Sequence, residues 1–532
     1  MSERDDTTMR RRDLLALVGT AAGGAAMYRA MSSLGLAAES TYTGPIRLDG
    51  DAKGASVLIL GAGLSGMVAA YELRKAGYRV QVLEYNNRAG GRCWSLRGGD
   101  TYTELGGATQ RCEFDSGLYF NPGPWRIPYH HHGVLDYCRQ FNVALEPFIQ
   151  VNYNAWLHSQ RAFDGKPQRY RQVQADFNGH VAELLAKATS QRKLDAAVTL
   201  EDQEILLTAL RNWGALDENY AYKTNLVASR RRGYDKDPGG GLAGPPIPSK
   251  PLALSDLLRS RMWQSLIVGS NYQFQTTLFQ PVGGMDMIAR AFTRQVSDLI
   301  RFNAKVTAIR QDAGGVTVVY EDTGDPGKPL RATADWCLCT IPLPILSQIE
   351  INVGASMQNA IDAVPYAPAV KIGLQFKRRF WEQDDGIYGG ISYTDLPIRM
   401  IGYPCTGYGD TGKAVLLGAY EIFGTYAYEF TSLSPAERVA KAVEDGSSIH
   451  PQYGREFENG ISVAWHRNPS VLGCEGNWTD EMRKQHYENL CAIDGRILLA
   501  GEHASYWGGW QEGAILSSLD AIGRLHRRVL AG

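Results

Sequence analysis

Two hydrophobic patterns divide the chain. Near the N-terminus, "ASVLIL" is apolar without alternation from Val57 to Leu60, as in a parallel strand buried on both faces. A glycine-rich turn follows. Apolar positions then fit a helix from Met67 to Lys75, Gly77 ends it, and "YRVQVLEY" predicts a second strand, which completes one βαβ unit. Between residues 150 and 275, "FNGHVAELLAKATSQ", "LEDQEILLTALRNWGAL" and "LSDLLRSRMWQSLIVG" carry helical periodicity. Among them lies a long Gly/Pro-rich loop, "RRGYDKDPGGGLAGPPIPSK", of the kind that is usually functional or mobile. From residue 300 onward "AKVTAI", "GVTVVYED", "DWCLCTI" and "AVKIGLQF" predict strands, and "GRILLAGEHASYWGGWQEGAILSSLDAIGRLHRRVL" predicts a strand, a loop and a closing helix. Nucleotide-domain signals therefore stand at both ends, with inserted material between.

The turn after the first strand contains Gly61, Gly63 and Gly66 in the spacing GxGxxG. The first glycine permits the tight turn. The second lets backbone approach a pyrophosphate at the helix N-terminus, and the third lets helix and strand pack closely. Glu84 ends the second strand, where a carboxylate accepts hydrogen bonds from ribose hydroxyls. The context predicts a dinucleotide site.

Composition narrows the partners. The net charge of −1 provides no global field for nucleic acid or an anionic membrane. The cysteines are scattered without a CxxC pair, so neither a zinc site nor a disulfide framework is expected. Cys337 and Cys339 read as free thiols in a buried strand. At the N-terminus "MRRRDLLALVGTAAGGAAM" sets an arginine cluster before an apolar run too short and too weakly hydrophobic to span a bilayer. The segment 1–38 resembles a twin-arginine export signal, which implies a periplasmic or secreted protein. Whether it is cleaved is open.

After Glu84 comes "NNRAGGRCWS", whose RxGGR an NAD site does not need. Together with "ELGG" at 104–107, "FQPVGGMDMIARAF" at 279–292, "NAKVTAI" and "GRILLAGEHAS", it resembles the ordered flavin-contacting segments of the flavin monoamine oxidase family. The resemblance runs from about residue 55 to the end. It implies FAD, with Arg88 and Arg92 meeting phosphate or ribose and Gly90 and Gly91 letting backbone close on the cofactor. "ELGG" would be a strand, Val306 would cover the adenine, and Gly501 and Glu502 would meet the ribityl or pyrophosphate part. Covalent members attach flavin through a cysteine near the C-terminal loop. "HASYWGGWQEG" has none, so the FAD is expected to be non-covalent.

Within that family "YFNPGPWRIPYHHHGVLDYCRQFNV" resembles the substrate-arginine segment of the L-amino acid oxidases, bacterial members included. The resemblance puts Arg126 against a substrate α-carboxylate. A guanidinium is a planar, permanently charged fork matched to a carboxylate, and Pro124 and Pro128 restrict the backbone around it. The same resemblance makes Lys371 the lysine that holds a water near flavin N5 and Tyr420 a second carboxylate ligand. It sets Gly509 and Trp510 beside the isoalloxazine, the glycine carbonyl accepting from the substrate amine and the indole walling the pocket. Adjacent histidines at 130–132 point different ways around a helix, and no metal site is expected. A place on the side-chain pocket, where Glu475 would favour a basic substrate, is open to Trp465, Cys474 and Glu475, but no motif assigns it.

The expected fold is α/β with an α+β insert: a GxGxxG Rossmann-like FAD-binding domain, a mixed-sheet substrate domain and a helical insert. The expected divisions are 1–38 signal, 39–125 FAD-binding, 126–277 arginine segment and helical insert, 278–342 FAD-binding, 343–488 substrate-binding and 489–532 FAD-binding. The implied reaction is oxidative deamination of an L-amino acid by O₂ to a 2-oxo acid, ammonia and H₂O₂. Alternatives are an amine or polyamine oxidase, a 2-monooxygenase giving an amide, and a non-catalytic flavin-binding protein. A homodimer is left open.

Overall fold

The apolar run Val57–Leu60 is buried throughout because its side chains alternate between two cores. Val57 and Ile59 join one, Leu58 and Leu60 the other. Burying each aliphatic side chain stabilises by about 1.5–3 kcal/mol, so an acidic residue at Ile59 would break the sheet at its centre. The computed structural model describes residues 42–531 apart from 192, 195–197 and 423. The export signal expected over residues 1–38 lies outside them.

The elements that position the site are, in chain order, β1 (Ser56–Leu60), α1 (Leu64–Lys75), β2 (Arg79–Leu83), α2 (His132–Gln140), β3 (Trp336–Cys339), β4 (Ala369–Phe376), β5 (Ala414–Ile422), β6 (Phe457–Ala464), β7 (Ile497–Leu499) and α3 (Gln511–Ala531). A six-stranded sheet has the order Ile300–Arg301, β2, β1, β3, β7, Ile493–Asp494. All its pairings are parallel except the last, an antiparallel edge. α1 and α3 cover one face. Ile515, Leu519, Ile522 and Leu525 form the apolar stripe of α3 and share a core with Val68 and Leu73 of α1. A four-stranded sheet covers the other face, with Val306, Val316 and Val318 against Leu58, Leu60, Cys337 and Cys339. Both of these cysteines are buried.

A seven-stranded mixed sheet forms the second layer system, with β5, β4 and β6 adjacent at one end. Every residue of β4 is buried. Helices Tyr170–Ser190, Leu200–Gly214 and Leu226–Arg232 form the insert, anchored by the buried pair Arg232–Asp176 at 2.9 Å. None of the described helices is long and apolar enough to cross a membrane.

Three local expectations change. "ELGG" is not a strand. Glu104–Gly107 is the reversal between strands Thr101–Thr103 and Thr109–Arg111. Gly106 and Gly107 have φ of 95° and 86°, and the Glu104 carboxylate accepts two bonds, of 2.9 and 2.8 Å, from buried Arg438. Helix Leu254–Ser260 stops where Arg261 turns left-handed, φ 57°, so "LSDLLRSRMWQSLIVG" forms broken short helices. The Gly/Pro-rich loop closes into a small antiparallel pair, Tyr234–Lys236 with Ile247–Pro248.

Candidate active site

A cavity of about 920 Å³ opens where the carboxyl ends of β1, β2, β3 and β7 meet β4 and β5. That is where ligands of open parallel sheets bind. Gly61, Gly63, Glu84, Gly91, Arg92, Val306, Gly501 and Glu502 all line it.

The glycine turn is built around contacts. A Cβ on Gly66 would fall 2.0 Å from the Gly61 carbonyl oxygen, so this glycine seats α1 against β1 rather than touching a ligand. A Cβ on Gly63 would meet nothing within 4 Å, so backbone is bare towards the cavity. No side chain caps α1 at Gly63, and the buried Ser65 hydroxyl in its first turn has no partner. An uncapped helix N-terminus with an unpartnered hydroxyl is a site for an anion. Glu84 is held by the Ala62 amide at 2.7 Å, the Asn86 amide at 2.8 Å and the Asn86 side chain at 2.7 Å. A carboxylate has about four acceptor sites, so one remains for a hydroxyl. This end of the cavity fits a dinucleotide.

The charged groups of these segments are placed differently with respect to the cavity. Arg88 does not line the cavity; its guanidinium carbon lies 4.3 Å from the centre of a Trp94 ring, and Nη1 donates to the Gly91 carbonyl at 2.9 Å. Arg92 and Glu502 line it but engage each other at 2.8 Å. Glu502 also accepts from the amides of Gly476 at 3.1 Å and Gly509 at 3.2 Å. The pair therefore braces the wall.

At the other end, the loop before Arg126 is clamped. Trp465 Nε1 donates to the Pro122 carbonyl at 2.7 Å and Lys371 Nζ to the Gly123 carbonyl at 2.6 Å. Beyond Arg126, Ile127–Pro128 pairs with Phe279 and Leu278, and α2 begins at His132, capped from afar by Glu512 through the amides of Gly133 and Val134. The Arg126 guanidinium carbon stands 4.4 Å from the centre of the Phe274 ring and 5.2 Å from a Trp125 ring. Its buried Nε has no partner, and no acid among the described residues pairs with the side chain. Burial works against its charge, offset only by Tyr420 and Tyr393.

Lys371 and Tyr420 are register partners on β4 and β5, and both line the cavity. Burial pushes the Lys371 ammonium down to about 7, and nearby Arg126 acts in the same direction. Burial pushes the Tyr420 hydroxyl up. Trp510 Nε1 donates to Gln273 Oε1 at 2.7 Å, and Gly509 lines the cavity beside it. The structure thus brings together Arg126, Lys371, Tyr420, Gly509 and Trp510.

It also adds residues that sequence reasoning missed. Ser65 was legible, since it lies inside GxGxxG. Tyr393, whose hydroxyl accepts from Gln150 Nε2 at 3.1 Å, sits on strand Ile391–Thr394 with no motif around it. Gln273 and Phe274 belong to a short 3₁₀ stretch without periodicity.

Residues 64–524 match the family described as flavin containing amine oxidoreductase. The chain belongs to that family. Its cofactor is FAD, which the glycine turn, Ser65 and Glu84 fit. Among relatives, the L-amino-acid oxidase of Vipera ammodytes ammodytes is 30% identical over 484 residues, covering 88% of this chain and 92% of that protein. The L-amino-acid oxidase of Daboia russelii is 29% identical over 483 residues, 88% of this chain and 89% of that one. The solved structure of cyclohexylamine oxidase from Brevibacterium oxydans IH-35A has a TM-score of 0.58 at 16% identity, over 90% of this chain and all of that chain. It shows the fold.

Proposed function

We propose that this flavoprotein catalyses oxidative deamination of L-amino acids, releasing a 2-oxo acid, ammonia and H₂O₂. One observation carries the choice of substrate: Arg126 presents an unpaired, permanently charged fork to the cavity, fixed by the clamped loop and caged by Phe274 and Trp125. A buried cation without a counter-charge is unfavourable until an anion arrives, and a planar bidentate acceptor such as a carboxylate suits it. The relatives named as L-amino-acid oxidases agree with this reading. An amine or polyamine oxidase would have no use for Arg126.

In this reading FAD is held non-covalently. The first turn of α1 with Ser65 meets its pyrophosphate, Glu84 its ribose and Val306 its adenine. When bound, FAD would supply the redox chemistry, as acceptor of the hydride from Cα and donor of electrons to O₂. The protein does the rest. Arg126 and Tyr420 hold the carboxylate, and the Gly509 carbonyl accepts from the amine, so the Cα–H has one orientation. Positioning of this kind lowers a barrier by up to about 7–11 kcal/mol. Trp510 and Phe274 exclude water. Lys371, poised near neutrality, holds a water beside the reacting atoms. The arginine cluster ahead of the apolar run near the N-terminus supports export by the twin-arginine route to the periplasm or beyond.

The test is anaerobic mixing of the yellow holoprotein with L-amino acids, D-amino acids and simple amines. Bleaching by L-amino acids alone, with 2-oxo acid and peroxide appearing once O₂ is admitted, is the expected result. Bleaching by amines alone would refute it, and an amide product would make the protein a monooxygenase.

A further inference from the structure

Most charged side chains around the cavity are satisfied by the protein. Glu84 is bonded to Ala62 and Asn86, Arg92 and Glu502 to each other, and Lys371 to Gly123. Lys305 stands at the exposed rim. Apart from this exposed lysine, two of the lining charges have no hydrogen bond or ion pair among the described residues, Arg126 and Glu475. Resting on the reading above, Arg126 is accounted for by the α-carboxylate. Glu475 is not.

The geometry around Glu475 is rigid. Its carbonyl accepts from the Ala367 amide at 2.9 Å, and the preceding Cys474 amide donates to the Ala367 carbonyl at 2.8 Å. Gly476 is fixed by a bridge to Tyr366 and by its bond to Glu502. The carboxylate lies against Gly509, where a Cβ would come within 1.5 Å of Oε2. A side chain at 509 would thus displace the acid, and the bare glycine leaves it room at the cavity wall. Arg126 stands elsewhere on that wall, among Trp125, Phe148 and Phe274. Tyr420 feels both charges, whereas neither of the two perturbs the other. Trp465, Ile422 and Val471 line the same cavity and offer apolar surface to a methylene chain.

We propose that Glu475 is a specificity residue that selects L-amino acids whose side chain ends in a cation, such as lysine, ornithine and arginine, by receiving that cation at the wall beside Gly509. Glu475 is half-buried, and a bound substrate with an uncharged side chain would shut its carboxylate off from water without giving it a partner, which disfavours that substrate.

The experiment compares kcat/KM for L-lysine with L-norleucine, which has the same carbon chain without the terminal amine. It uses the FAD-loaded wild type, Glu475→Gln and Glu475→Asp, with flavin absorbance confirming loading of each. The wild type should favour lysine by roughly 30-fold or more. Glu475→Gln should reduce that ratio at least about tenfold, mainly by raising KM for lysine, and Glu475→Asp should restore part of it. Equal wild-type turnover of norleucine and lysine would overturn the proposal while leaving amino acid oxidation in place. So would a Glu475→Gln variant in which both substrates slow by the same factor, since Glu475 would then serve the α-amine they share. If no L-amino acid bleaches the loaded wild type, this proposal and the reading beneath it fall together. Failure of the variants to fold leaves the wild-type ratio to decide.

Discussion

Lys371 and Tyr420 face each other across adjacent antiparallel strands, with the lysine Nζ 4.2 Å from the centre of the tyrosine ring. Opposed residues of a ladder point to one side of the sheet, so a single register sets both on the cavity. The same lysine holds the Gly123 carbonyl, three residues before Arg126, and thereby ties the substrate loop to the sheet. In Tyr420→Phe the ring packing persists and only the hydroxyl is lost. KM for the preferred amino acid should rise about tenfold, the worth of one hydrogen bond of roughly 1–1.5 kcal/mol, with FAD retained. Steady-state kinetics with parallel flavin spectra measure this, and an unchanged KM would remove Tyr420 from the carboxylate site.

Arg126→Ala should have a larger effect. Truncating one partner of a buried charge pair costs about 2–5 kcal/mol, or about 30- to 5000-fold in affinity. Anaerobic titration of flavin bleaching reads the loss directly, and the flavin content of the purified variant should match wild type. Arg126→Lys should recover little, because an ammonium lacks the fork.

Ser65 offers a test of the dinucleotide end. If its unpartnered hydroxyl donates to a phosphate, Ser65→Ala should release FAD about tenfold more readily on dilution or dialysis, corresponding to about 1–1.5 kcal/mol. Thermal unfolding of the FAD-free protein should be unchanged. Equal FAD retention by the two proteins would show that the hydroxyl meets no phosphate.

Glu421 provides a pH test away from the cavity. It neighbours Tyr420 in sequence but points to the opposite face of β5, and burial pushes its carboxyl up to about 7. Glu429 adds to the rise and Arg399, at 3.7 Å, opposes it. The folded protein therefore binds this proton more tightly than the unfolded chain. The resulting stability is fully present below pH 4.5, the unfolded value, and is lost as pH rises through about 7. Glu421→Gln removes the titration, so the variant should gain on wild type as pH rises, by roughly 2–3 kcal/mol between the two limits. Denaturant unfolding at pH 4.5 and pH 8 checks this, and a constant difference would disprove it.

How legible the molecule was in its sequence depended on how local each feature is. The β1–α1–β2 unit follows from short-range pattern, since Val57–Leu60, the three glycines and Glu84 lie within one stretch of chain. The "ELGG" segment misled because its two glycines belong to a hairpin reversal, and the Glu104 carboxylate is claimed by Arg438 from a distant helix. Arg88 lies outside the cavity lining because Trp94, a few residues on, offers its guanidinium an aromatic face. Arg126, Lys371 and Tyr420 were found through family resemblance, not periodicity. Tyr393, Gln273 and Phe274 carry no local signal, because their place on the wall comes from how the insert and the mixed sheet pack together.

The order of the six-stranded sheet also constrains how the protein is made. β1 carries the glycine turn, and β7, which delivers Gly501 and Glu502 to the same cavity, is the last of the parallel strands in chain order. The flavin cavity is therefore incomplete until β7 has been made, and a chain that stops before β7 lacks one wall of it.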